Sequence, residues 1–127
     1  MALEFDDRAL LERFLPGDEL TVGILDNEPL PVIHLKYPGT MFDYNAKYQS
    51  EETQHIVDPP IGEELKRLLQ EQAMRAHTAL GCHCFSRADF RLDSDGKPYV
   101  LEVNTIPGLT SHSLLPKAAA RAGRTHP

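Results

Sequence analysis

The chain has 127 residues with 41% hydrophobic and 25% charged side chains, enough for one domain with a modest core but small for an enzyme that holds two substrates. Its formal net charge of −6 argues against nucleic acid or an anionic membrane as the main partner. It has no long apolar run and no signal-peptide core at its start, so a cytoplasmic protein is expected if the source is bacterial.

In chain order, Met1 to Asp7 contributes acidic residues before the first apolar run. Ala9 to Leu15 mixes helix and strand character with helix favoured, and Pro16-Gly17 ends it. Glu19 to Leu25 alternates and is rich in β-branched residues, Asp26 to Pro29 makes a turn, and Leu30 to Leu35 forms a second strand. Pro31 is expected to put that strand near an edge. Tyr37 to Pro60 reads as a loop whose length suits a functional lid or a disordered segment. Lys47 and Tyr48 are its residues of interest, although a loop lysine is more often simply solvated.

Ile61 to Leu80 is the clearest helix, with Leu65, Leu68, Leu69, Ala73 and Ala76 at helical spacing and Gly81 at the C-terminal cap. Its apolar side is expected to cover a sheet, with His77 at the boundary. Cys82 and Cys84 flank His83 without the second ligand pair that a structural zinc site needs, and read as inert thiols. Cys82 to Arg91 then forms a strand, and Ser113 opens a final helix through Leu114, Leu115, Ala118 and Ala119, with Pro116 tolerated in its first turn.

The chemistry concentrates in Tyr99 to Ser113. Alternation along the strand puts Val100, Glu102 and Asn104 on one face and Leu101 and Val103 on the other. If Asp95-Gly96 is a two-residue hairpin turn, Asp89 lies directly opposite Glu102 and Arg87 opposite Asn104. Two carboxylates opposite each other destabilise a sheet unless something neutralises them, and a divalent cation such as Mg²⁺ would do so. The plainer reading is a solvated hairpin face. After the strand, Gly108 permits close backbone approach, and Thr110, Ser111 and Ser113 lead into amides suited to an anion; Arg87 supplies a fixed cationic fork. A Ser/Thr cap with no ligand is the competing reading.

Leu101 to Leu114 (LEVNTIPGLTSHSL), with Arg87-Ala-Asp89 and Tyr44-Asn-Ala-Lys-Tyr48 upstream, closely resembles D-alanine:D-alanine ligase, of the ATP-grasp superfamily, and the likeness runs from about Phe5 to Gly123. The resemblance implies an α+β fold, an ATP-grasp-like antiparallel sheet covered by helices. It implies Asp89, Glu102 and Asn104 as ligands of two Mg²⁺ or Mn²⁺ ions, with Glu102 touching both. Arg87 and the Gly108 backbone would stabilise a tetrahedral intermediate, and Ser113 and Leu114 would hold the carboxylate of the second D-alanine. Lys47 would contact phosphate, and Tyr48 matches a lid tyrosine that accompanies a D-alanine acceptor. Glu12, Arg13, Phe14 and Leu15 fall on the hinge against adenine, which implies a strand-like segment where pattern favours helix. Glu19 would hold the ATP ribose, and Leu101 and Met41 would wall the adenine pocket.

The resemblance also implies a carboxy-terminal portion only, residues 1–127, without the family's amino-terminal domain, most of the central ATP-binding subdomain and the closing helix. Such a portion is expected to be inactive alone, to need its missing half, and to expose apolar surface; full-length relatives are expected as homodimers. A non-catalytic Mg²⁺ and nucleotide-binding module, an inert remnant, and another ATP-grasp carboxylate-amine ligase are the alternatives.

Overall fold

The computed structural model describes residue 4, residues 6–37 and residues 53–124. Among the described residues there are six antiparallel strands and two helices: β1 Glu19–Leu25, β2 Glu28–Pro29, β3 Ile33–Lys36, β4 Gln54–Val57, α1 Glu63–Ala79, β5 Phe85–Leu92, β6 Pro98–Asn104 and α2 Leu114–Arg121. The sheet runs β4-β3-β1-β5-β6, with β2 also paired to β1. This is the expected α+β architecture.

Alternation decides which side chain faces which layer. On one face Leu20, Val22 and Ile24 of β1 and Ala88, Phe90 and Leu92 of β5 pack against Leu69 and Ala73 of α1. Helix α1 starts after Gly62 and ends before Gly81, whose φ of 64° suits the left-handed residue that stops a helix. Leu68, expected in the apolar row, is turned outward. On the opposite face α2 covers only the β1–β3–β4 side, where Leu30, Ile33, Leu115 and Ala118 form a second core. The β5–β6 side of that face keeps its polar residues, and the candidate site lies there.

Several expectations need correction. Ala9 to Leu15 is neither helix nor strand: so short a stretch cannot support an isolated helix, and Leu10 and Leu11 find no core to bury them. The first hairpin turns on Asp26 and Asn27 alone, with φ of 54° and 61°, as a tight turn matched to strand twist requires. Its returning strand is split into β2 and β3 at the two prolines, with the pairing shifted by one residue between them. Strand β3 is not at the edge, because Gln54–Val57, inside the expected loop, pairs with it and takes that place; Pro31 precedes β3 and costs the ladder nothing.

His77 is not a boundary residue but part of the core, with 1% of its surface exposed. Its Nδ1 lies 2.7 Å from Ser86 Oγ and its Nε2 3.3 Å from Asn27 Oδ1, which ties α1 to β5 and to the first hairpin turn. Burial, and then the nearby His83, hold its pKa below the usual histidine value. The unfolded chain therefore takes up the proton first, and stability is full above the unfolded value of about 6.5 and falls as pH drops below it. The thermal midpoint should decline between about pH 6.5 and 5, and a His77→Gln variant should show a shallower decline in the same scan. His55, lowered by burial and by Lys117, adds to the slope with the same sign and keeps it from vanishing.

Candidate active site

Strand β5 alternates strictly, with Ser86, Ala88, Phe90 and Leu92 in the core and Arg87, Asp89 and Arg91 in a row on the open face. Asp89 pairs with Thr21 on one side and Glu102 on the other, and Arg87 pairs with Asn104. Side chains on neighbouring strands therefore converge on Asp89. Arg87 donates through Nε to Asp89 Oδ1 at 2.8 Å and through Nη2 to Oδ2 at 2.7 Å, the two-point fork that makes such pairs strong. The Thr21 hydroxyl lies 2.6 Å from Asp89 Oδ1. The Asn104 amide donates to Asp89 Oδ2 at 3.1 Å and to Glu102 Oε1 at 3.0 Å, so one NH₂ group spans both carboxylates. Bonding to Asp89 pushes the Arg87 guanidinium still higher and keeps it charged.

The opposition of Asp89 and Glu102 is the expected one, but the route to it is different. The turn is not the two-residue Asp95-Gly96: Ser94, Asp95 and Gly96 form the loop, Asp93 N–H donates to the Lys97 carbonyl, and Leu92 pairs with Pro98. That extra residue shifts the register by one. A bulge between Asp89 and Phe90 shifts it back, because Val100 pairs with Phe90, Glu102 pairs with Asp89, and Leu101 is left between them. The bulge also removes Val100 from the row it was expected to share with Glu102 and Asn104. The loop is held by Asp93, whose carboxylate accepts from the Asp95 and Lys97 N–H groups, and the bond from Lys97 lowers its pKa most.

A second region adjoins this one. Glu12, Arg13, Phe14 and Leu15 line a cleft of about 440 Å³ with Arg91, Tyr99, Val100 and Leu101. The segment is anchored at Gly17, whose N–H donates to the Leu92 carbonyl at 2.9 Å. Glu19 lies just behind: Oε2 accepts from Arg91 Nη2 at 2.7 Å and Oε1 from the Tyr37 hydroxyl at 3.0 Å. Burial first, and then the Glu19 carboxylate, push the Tyr37 phenol well above its usual range, so it remains a donor.

The turn after β6 brings Gly108 against Ser113, where a Cβ on Gly108 would sit 2.7 Å from Ser113 Oγ. Ser113 occupies the cap position of α2, yet its hydroxyl makes no bond into the helix and instead accepts from Thr110 N–H at 3.1 Å. The simple capping reading is therefore not what the side chain does. The Leu114 side chain packs on the second core, which leaves its backbone, not its side chain, to meet a ligand. Met41, Lys47 and Tyr48 lie outside the described residues.

A family model described as "D-ala D-ala ligase C-terminus" matches residues 1–127. The chain belongs to that D-alanine:D-alanine ligase family. A D-alanine–D-alanine ligase of Actinobacillus succinogenes is 47% identical over 123 residues, and one of Nitrosospira multiformis 44%. Each match takes in 97% of this chain and 40% of the relative, so the chain spans about 40% of the length of the curated relatives it matches. Among solved structures, a Bacillus anthracis ligase complexed with ATP superposes with a TM-score of 0.73 at 35% identity, covering 88% of this chain and 35% of that one. The D-alanyl-alanine synthetase A of Vibrio cholerae superposes with a TM-score of 0.81 at 28% identity, over 98% of this chain and 39% of the other.

The ligase family implies divalent ions, and the donor set here suits them. Asp89 and Glu102 stand opposed, and their charge is met by Arg87 and the Asn104 amide. Both Asp89 oxygens are already engaged, so a cation would replace a donor there, whereas Glu102 is exposed. Among the described residues no group of three or more His, Cys, Asp and Glu could hold a metal. An ion at Asp89 and Glu102 would therefore complete its shell with Asn104 and with oxygens from outside the chain, which suits Mg²⁺. Sequence reasoning passed over Thr21, Tyr37, Arg91 and Tyr99. Arg91 had a visible signal, since it follows Asp89 by two residues in the same alternation; the other three are brought in by strand pairing or by the turn of the chain after β3.

Proposed function

We propose that this chain is the carboxy-terminal portion of a cytoplasmic, ATP-dependent D-alanine:D-alanine ligase, which joins two D-alanines through an acyl phosphate for peptidoglycan. The observation that carries this reading is the opposition of Asp89 and Glu102, bridged by Asn104 and braced by Arg87. Asp89, Glu102 and Asn104 would hold two Mg²⁺ or Mn²⁺ ions, which supply neutralisation of phosphate charge when bound. Arg87, held by Asp89 through Nε and Nη2, would offer its charge and its remaining N–H groups to the charge that develops as the second D-alanine's amine attacks and phosphate departs, with the Gly108 backbone as its companion. Ser113 and the Leu114 backbone are suited to the acceptor's carboxylate, at the start of a helix whose amides favour an anion. Glu12 to Leu15, with Leu101 and Met41, would enclose adenine, Glu19 would hold the ribose, Lys47 would meet phosphate and Tyr48 would close over the acceptor. Among the described residues no helix is long and apolar enough to cross a membrane.

Mixing this chain with a separately produced amino-terminal portion of a relative, and following ADP release that depends on D-alanine, tests the reading. ADP release supports it. MgATP binding without turnover favours a non-catalytic module, and no heat on titration with MgATP favours an inert remnant. Glu102 is exposed and bound to little else, so Glu102→Gln should weaken Mg²⁺-dependent ATP binding about tenfold, the worth of one charge-assisted bond, while the thermal midpoint stays nearly unchanged. Calorimetric titration with and without Mg²⁺, beside a melting curve, checks both.

A further inference from the structure

Arg91 stands where the two halves of the site meet. It belongs to the same row as Arg87 and Asp89, pairs across the strands with Glu19 on one side and Tyr99 on the other, and lines the cleft formed by Glu12 to Leu15 and Leu101. Its side chain is only 13% exposed. The Glu19 carboxylate, on the neighbouring strand, fixes the guanidinium through Nη2 at 2.7 Å, and Glu19 is itself fixed by Tyr37 through its other oxygen. A guanidinium pinned in this way is a flat cation with little freedom, lying in a cleft whose walls combine the apolar Phe14, Leu15, Val100 and Leu101 with Glu12, Arg13 and Tyr99.

We propose that Arg91 is the base-contacting floor of this cleft: a planar cation, oriented by Glu19 and Tyr37, on which the purine ring of the nucleotide lies. The inference rests on the reading that the cleft takes a nucleotide, and it adds a specificity-determining residue to that reading. The flat guanidinium matches an aromatic face in shape, and the attraction between cation and ring grows where water is excluded. A lysine could keep the charge but not the plane. Tyr37 acts through Glu19 and is a positioning residue.

Titration of the chain with MgATP, followed by calorimetry and by the NMR signal of the Arg91 side-chain N–H, separates the roles open to this residue. The expected result is an upfield ring-current shift of that signal on adding ATP, while inorganic tripolyphosphate leaves it in place. Arg91→Met should weaken ATP binding about tenfold, Arg91→Lys should recover less than half of the loss, and Tyr37→Phe should weaken binding about threefold and reduce the shift. Should Arg91→Met fail to fold, the other two variants carry the comparison. ATP binding to the unaltered chain without an upfield shift overturns the proposal alone, as does a tripolyphosphate-induced shift as large as that of ATP. Absence of any ATP binding overturns it together with the nucleotide reading beneath it.

Discussion

Replacing Asp89 by alanine should lower the thermal midpoint by on the order of 10 °C, the consequence of roughly 3 kcal/mol lost when one member of a covered ion pair is removed. The size follows from what Asp89 leaves behind. Its side chain is 14% exposed and that of Arg87 20%, so solvent cannot readily replace the two lost bonds of the guanidinium fork. Thr21, 1% exposed, loses its carboxylate partner as well, keeping only the Ala88 carbonyl at 3.1 Å. The test is a comparison of thermal unfolding for Asp89→Ala and for the double variant Asp89→Ala/Arg87→Met. If the cost comes from the stranded cation, the double variant should recover part of the loss; equal destabilisation of the two would place the cost in packing instead. Both variants should lose Mg²⁺-dependent ATP binding, because each leaves Glu102 without the carboxylate that opposes it.

Changing Gly17 to alanine should cost about 2–3 kcal/mol, the scale of overpacking against a backbone that cannot withdraw. A Cβ there would lie 2.6 Å from the Leu92 carbonyl oxygen and 2.8 Å from Leu92 Cβ. The Leu92 oxygen accepts from Gly17 N–H, and Leu92 N–H donates to the Asp18 carbonyl, so relief requires breaking both bonds. What moves is the segment that carries Glu12 to Leu15 along the cleft, and nucleotide affinity should fall with stability. Gly96→Ala is the control. Its φ of 77° gives a strain of about 1–2 kcal/mol, but a Cβ there meets nothing within 4 Å, and the cleft should keep its affinity. Urea unfolding and ATP titration on the same samples distinguish the two substitutions.

Close approach of backbones is invisible to pattern reading, and Gly17 shows why. Beside Pro16 it looks like a breaker, and it does end a segment, but its lack of a side chain matters because β5 passes over it from more than seventy residues away. Gly23 repeats the lesson inside β1, where a Cβ would come within 2.5 Å of Leu115 Cδ1. In a strand it reads as a weakness; in the fold it is the space that lets α2 dock. The segment from Ala9 to Leu15 failed for a related reason, since apolar letters promise burial only where a surface receives them, and Leu11 is 96% exposed.

The Asp89–Glu102 pairing was legible in part by compensation. Alternation placed each acid on the open face of its own strand, and that was sound. The register between the strands was read from an assumed two-residue turn, whereas a three-residue loop and a bulge at Leu101 restore the same opposition. Local chemistry, namely Asp-Gly, alternating side chains and a glycine at a helix end, decided most of the elements and, the bulge and the strand Gln54–Val57 aside, which residues each one presents. That much the chain dictated alone, because φ/ψ preference and side-chain period act over a few residues. Only the assembled fold decided the bulge, the docking of α2 on half a face, the pinning of Glu19 by Arg91 and Tyr37, and the core place of His77. Each of these depends on atoms distant in sequence meeting within 4 Å, a condition set by packing.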